Sequence, residues 1–131
     1  MRAVLDTNVL VSGIFWAGTP SQILELWISD RFELILSEEI FFEYSKVLLR
    51  ISKGKRDNLV NRWLFLIAEN AHFVKIKKHF KLSVDADDDK FIDCALSGNA
   101  KYIVSGDSHL FDLKSILNVQ CISPSEFFKK V

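Results

Sequence analysis

The chain has 131 residues, 49% of them apolar and 26% charged, with 17 Lys and Arg against 17 Asp and Glu. That composition suits one folded domain with a sizeable core and excludes a disordered chain. A net charge of zero excludes a nucleic-acid binder that works by bulk positive charge, so any such role must rest on local patterning.

The most apolar window, "LVNRWLFLIAENAHF", is interrupted by Arg62, Glu69 and Asn70. It falls short of the roughly 20 apolar residues that a membrane span needs. The N-terminal run "MRAVLDTNVLVSGIFW" is broken by Asp6 and Asn8 and has no small-residue cleavage site after it, so no signal peptide is expected. Cys94 and Cys121 stand in apolar contexts and read as reduced core thiols of a cytoplasmic protein.

In chain order, "RAVLD" is a short apolar run ending at a carboxylate, as a buried parallel strand would. "TPSQILELWISD" has helical spacing, with Pro20 in the first turn and Ile23, Leu24, Trp27 and Ile28 on one face. "FELILS" is a second strand. "SEEIFFEYSKVLLR" opens on Ser37, an N-cap type, with two early Glu residues that suit the positive end of a helix. "KRDNLVNRWLFLIAENA" predicts a further helix and "HFVKI" a strand. "DKFIDCALSGNA" predicts a helix ending near Gly98 or Asn99, "YIVSGD" a buried strand, and "VQCIS" with "PSEFFKK" a last strand and helix. Strands alternating with helices define one α/β domain over residues 1–131, with a central, mostly parallel sheet flanked by helices.

The stretch "VDADDDKFIDCA" holds Asp85, Asp87, Asp88, Asp89 and Asp93. Like charges so close raise one another's pKa values. Some of them suit a solvated helix start, where the dipole favours acids. The calcium loop that "DADDDK" imitates needs Gly sixth and Glu twelfth, where Lys90 and Leu96 stand. In a parallel sheet, ligands collect outside the carboxyl ends of the strands. Asp6 and Asp107 stand at two such ends, Glu43 lies a turn into the helix after the second strand, and Asp89 and Asp93 share a helix face. Four or five carboxylates are therefore expected in one crevice, with no side-chain cation spaced to neutralise them. Oxygen-only ligands point to Mg²⁺ or Mn²⁺, and such an ion can activate water and hold a phosphate.

With these residues in hand, the chain resembles the PIN domain family of metal-dependent ribonucleases over nearly its whole length. "VLDTNVLVSGIFWAGTPSQILELW", "LILSEEIFFEYSKVLLR" and "DADDDKFIDCALSGNAKYIVSGDSHL" are similar to the family's blocks in order, in a branch of toxins from toxin–antitoxin systems. The resemblance places the acidic quartet on Asp6, Glu43, Asp89 and Asp107. It implies that Asp6, Asp89 and Asp107 hold the metal, that Thr7 and Asn8 shape the turn behind Asp6, and that Glu43 orients the attacking water or binds a second ion. Asp93 is a candidate fifth acid, and Ser105 a partner for a carboxylate or a metal-bound water. The implied activity is endoribonuclease cleavage of single-stranded RNA by a toxin that an antitoxin restrains.

Two basic clusters, "RISKGKR" and "KIKKHFK", offer phosphate contacts, chiefly Lys53, Lys55 and Arg56. Phe15 and Trp16, read as part of a Gly-bounded loop near the first strand's end, can stack on an unpaired base or pack in the core. His72, His79 and His109 are too scattered for a zinc site. The "FFEY" and "WLFLI" segments are either buried helix faces or a surface for a homodimer. Two further readings stay open: an aspartate-nucleophile phosphatase, for which Asn8 stands where a second Asp is wanted, and a non-catalytic binding module.

Overall fold

In the computed structural model, the described residues are 1–81, 86–106 and 118–131. The apolar runs become five strands, β1 (Arg2–Leu5), β2 (Glu33–Leu36), β3 (His72–Phe73), β4 (Tyr102–Val104) and β5 (Gln120–Ile122). They form one sheet in the order β3-β2-β1-β4-β5, and every pairing is parallel. Ala3 pairs with both Leu34 and Tyr102, and Val104 with both Leu5 and Ile122. Ala3, Val4, Leu5, Leu34, Ile35 and Leu36 are fully buried, as a central strand pair covered on both faces requires.

The helices are α1 (Thr7–Phe15), α2 (Thr19–Ile28), α3 (Glu38–Ser52), α4 (Asp57–Asn70), α5 (Asp89–Ser97) and α6 (Pro124–Lys130), with a 3₁₀ turn at Ala86–Asp88. Ser37 caps α3 by accepting from the Ile40 amide at 3.2 Å, with Glu38 and Glu39 in the first turn. Ser123 and Glu126 form a reciprocal capping box at the start of α6. α5 packs across β1, β2 and β4, and α6 packs on α2 and β4. No helix among the described residues is long and apolar enough to cross a membrane.

Three local expectations need correction. Thr7 and Asn8, read as a turn, and Phe15, read as part of a loop, belong with the unassigned residues between them to α1 (Thr7–Phe15). Thr7, Val9, Leu10, Val11, Gly13, Ile14 and Phe15 are all buried, so the polar face is only the narrow strip of Asn8 and Ser12, too short a period to announce the helix. Ile28 does not join the buried face of α2; it is the last residue of that helix and is exposed. The strand expected over "HFVKI" is only two residues long. β2 ends at Leu36, and the last link of that ladder is the Val74 amide donating to the Leu36 carbonyl at 2.9 Å.

Gly13 belongs to α1 because α2 crosses it closely. A Cβ there would lie 2.7 Å from Leu24 Cδ1 and 2.8 Å from the Pro20 carbonyl oxygen. Gly13→Ala gains helix propensity but overpacks this crossing, so a net loss of about 1–3 kcal/mol is expected. Urea unfolding checks it: an unchanged or raised midpoint would contradict the packing.

Strand order reverses beside β1. The chain steps from β1 outward through β2 to β3, then returns to lay β4 and β5 on the other side. Such a switch point leaves a crevice between the carboxyl ends of the two neighbouring strands, here β1 and β4.

Candidate active site at the strand switch point

Asp6 follows β1 directly and occupies the N-cap position of α1. Its amide donates to the Val104 carbonyl at 2.9 Å, and its own carbonyl accepts from Val9 at 3.0 Å and Leu10 at 3.2 Å. The side chain makes no capping hydrogen bond. Its Oδ2 instead accepts from the Ser105 hydroxyl at 2.8 Å. Ser105 follows β4, is 1% exposed, and is fixed by its amide donating to the Ile122 carbonyl at 2.9 Å. Two side chains from adjacent strand ends thus form the floor of the crevice.

Burial raises the Asp6 carboxyl above its ordinary 3.8. The Ser105 hydroxyl and the nearby amides of Asn8 and Thr7 pull it partly back, and the negative charge of Glu43 pushes it up again. Asn8 itself is exposed in the first turn of α1, whereas Thr7 is buried. Its hydroxyl donates to Glu43 Oε2. The resemblance gave Thr7 and Asn8 a place behind Asp6; Thr7 also ties the start of α1 to α3.

Glu43 lies in the second turn of α3, and its Oε1 stands 2.7 Å from Lys90 Nζ. This overturns the expectation that no cation neutralises the acids. Lys90 follows Asp89 in the first turn of α5, and α5 packs on α3, so a lysine from inside the acidic stretch reaches across to Glu43. Burial alone would lower the Lys90 pKa. The hydrogen bond and charge of Glu43, with the charges of Asp87 and Glu39, outweigh it and leave the ammonium raised.

Tyr44, the next residue on α3, is fully buried and donates to the Leu5 carbonyl at 2.5 Å. Burial, with Cys94, Asp6 and Glu43 near, raises its phenol well above the ordinary value. It fastens α3 to the end of β1. Burial and the charge of Asp93 likewise push the Cys94 thiol up to about 12. Cys94 is buried and Cys121 half-buried.

Asp89 opens α5 and is half-buried, while Asp87 is exposed and Asp88 half-buried in the 3₁₀ turn before it. Asp93, one turn further on, is 3% exposed. Its carboxylate accepts from the Phe80 amide at 2.9 Å and lies 3.0 Å from His79 Nδ1, anchoring the segment after β3 to α5. Sequence reading missed this pairing, since no local spacing links residues 79 and 93. Asp85, Asp107 and His109 lie outside the described residues. Among the described residues, no group of three or more His, Cys, Asp or Glu side chains is placed to hold a metal ion.

The basic loop after α3 meets the end of α1. The Arg56 guanidinium lies 5.3 Å from the Phe15 ring centroid and donates to the Phe15 carbonyl at 3.4 Å. Phe15 is buried as the last residue of α1, and Trp16 beyond it is 58% exposed. Lys53, which ends α3 with φ 50°, and Lys55 are exposed. Phe15 and Trp16 were expected in a loop near the end of β1; α1 carries them roughly 12 Å from it.

These features define a class: a parallel α/β domain with carboxylates gathered at a strand switch point. The chain belongs to the PIN domain family, whose sequence profile it matches over residues 2–109. β5 and α6 fall beyond that match, yet β5 pairs with β4 in the same sheet. Among solved structures, the chain is similar to one in the crystal structure of VapBC2 from Rickettsia felis bound to a DNA fragment from their promoter. The likeness has a TM-score of 0.62 at 17% identity and covers 94% of this chain and 98% of that one. It shows a common fold. Comparison with curated proteins finds no match.

Proposed function

We infer that this PIN domain is an endoribonuclease that hydrolyses phosphodiester bonds of single-stranded RNA with a divalent ion, Mg²⁺ or Mn²⁺. The observation that carries this reading is the half-buried, partly desolvated Asp6 carboxylate, held by Ser105 at the switch point and near enough to feel the charge of Glu43. An ionised carboxylate there is costly without a positive partner. The donors are hard oxygens, which fit Mg²⁺ or Mn²⁺. Mg²⁺ commonly takes one or two carboxylates directly and reaches others through the waters it keeps.

Asp6, Asp89 and Asp107 would hold the ion. When bound, such an ion lowers the pKa of water and neutralises charge on a phosphate. The chain's own groups do the rest. Ser105 orients the Asp6 carboxylate, Glu43 orients the attacking water, and Thr7 fixes Glu43 against the start of α1, whose dipole favours an anionic substrate there. Lys53, Lys55 and Arg56 give the RNA backbone a salt-sensitive track, and Trp16 offers a face on which an unpaired base stacks.

The chain further reads as the toxin of a toxin–antitoxin pair, a reading supported by family membership and by the likeness to a chain of VapBC2. Exposed apolar side chains support a partner: the "FFEY" and "WLFLI" segments bury Tyr44 and Ile67 but leave Phe42 69% and Phe65 66% exposed. An antitoxin or a second copy of the chain would cover them.

The test is cleavage of a labelled single-stranded RNA by the purified chain. Cleavage with Mg²⁺ or Mn²⁺ that stops in chelator is expected. Cleavage that persists in chelator removes the metal from the mechanism, and none with either ion removes the nuclease reading.

A further inference from the structure

Glu43 is fully engaged before any metal arrives. One oxygen accepts from Thr7 and the other pairs with Lys90 at 2.7 Å. The Lys90 side chain is only 13% exposed, although a lysine ammonium ordinarily stays in water and loses both hydration and rotamer freedom when held. It is kept inside by the acids it faces, Glu43, Asp87 and Glu39, and its Nζ lies 5.6 Å from the Phe91 ring centroid.

We propose that Lys90 takes the place of a second metal ion, so that the crevice binds a single divalent ion and Glu43 serves as a positioning residue, not a ligand. The first ion is that of the nuclease reading, on which this inference rests. The ammonium brings one positive charge and donor hydrogens but no exchangeable water. A bound ion held by Asp6 and its neighbours would supply the activated water, and Glu43, fixed by Lys90 and Thr7, would orient it.

Calorimetric titration of the purified chain with Mn²⁺, paired with electron paramagnetic resonance of the free ion, counts the sites. One ion per chain is expected. Lys90→Met keeps the stem and deletes the charge; it is expected to take up a second ion and to melt lower without metal, with the loss recovered in excess Mn²⁺. Lys90→Met combined with Glu43→Gln removes the pair as a neutral unit and should bind one ion with affinity within about threefold of the wild type. Two ions per wild-type chain, a single ion in Lys90→Met, or a tenfold or greater loss of affinity in the double variant would overturn the proposal. Should Lys90→Met fail to fold, the wild-type count and the double variant still decide it. A wild type that binds no Mn²⁺ sinks the metal-dependent reading itself, a result distinct from each of those.

Discussion

Asp6→Asn is expected to abolish RNA cleavage, by at least about 100-fold, while making the metal-free protein more stable at neutral pH. The loss follows because an ion's stabilisation of developing charge is worth several kcal/mol, and Asp6 is the half-buried carboxylate proposed to hold it. The gain follows from the raised pKa. Burial lifts the folded value above 3.8, so folded Asp6 holds its proton more tightly than unfolded Asp6 does. That contribution is fully present below pH 3.8 and disappears as pH rises through the folded value. At pH 7 the ionised group weakens the fold. Asn has the same shape, still accepts from Ser105, and carries no charge. In chelator, the variant should melt above the wild type at pH 7, with the gap closing toward pH 4. Full activity, or a lower melting temperature at pH 7, would contradict the assignment.

The second large effect is expected at Tyr44. Its ring is fully buried and its hydroxyl donates to Leu5 at the end of β1, so truncation opens a large cavity and removes a buried hydrogen bond together. Tyr44→Ala is expected to cost about 3–5 kcal/mol, in line with other aromatic truncations. Tyr44→Phe keeps the packing and loses the hydrogen bond, at about 1–2 kcal/mol. Denaturant unfolding reads both. Because Tyr44 sits beside Glu43 and sets the distance between α3 and β1, the Phe variant should also lose turnover more than RNA affinity. A Tyr44→Phe variant with wild-type stability and turnover would mean that the hydroxyl does not set the site.

What the sequence revealed and what it concealed divide along physical lines. β1, β2 and β4 were legible because a strand buried on both faces is a short apolar run bounded by turn residues. α3 was legible from Ser37 and the acids after it. Asp6 was named because it ends a strand, and Ser105 through the family resemblance, from its place beside the turn after "YIVS". Their contact spans 99 positions and arises only because β4 returns to lie beside β1. α1 stayed hidden for the opposite reason, since a helix buried nearly all round shows only a two-residue polar stripe, Asn8 and Ser12. The Lys90–Glu43 and His79–Asp93 pairs were concealed too. Each depends on how α5 packs against a distant segment, and a lysine among five aspartates looks locally like a solvated charge.

The most direct test of the whole reading is a crystal grown with Mn²⁺ and measured at the metal's absorption edge. An anomalous peak beside the Asp6 carboxylate is expected, within reach of Asp89, and lost in Asp6→Asn. No peak at the carboxyl ends of β1 and β4, with Mn²⁺ in large excess, would contradict it.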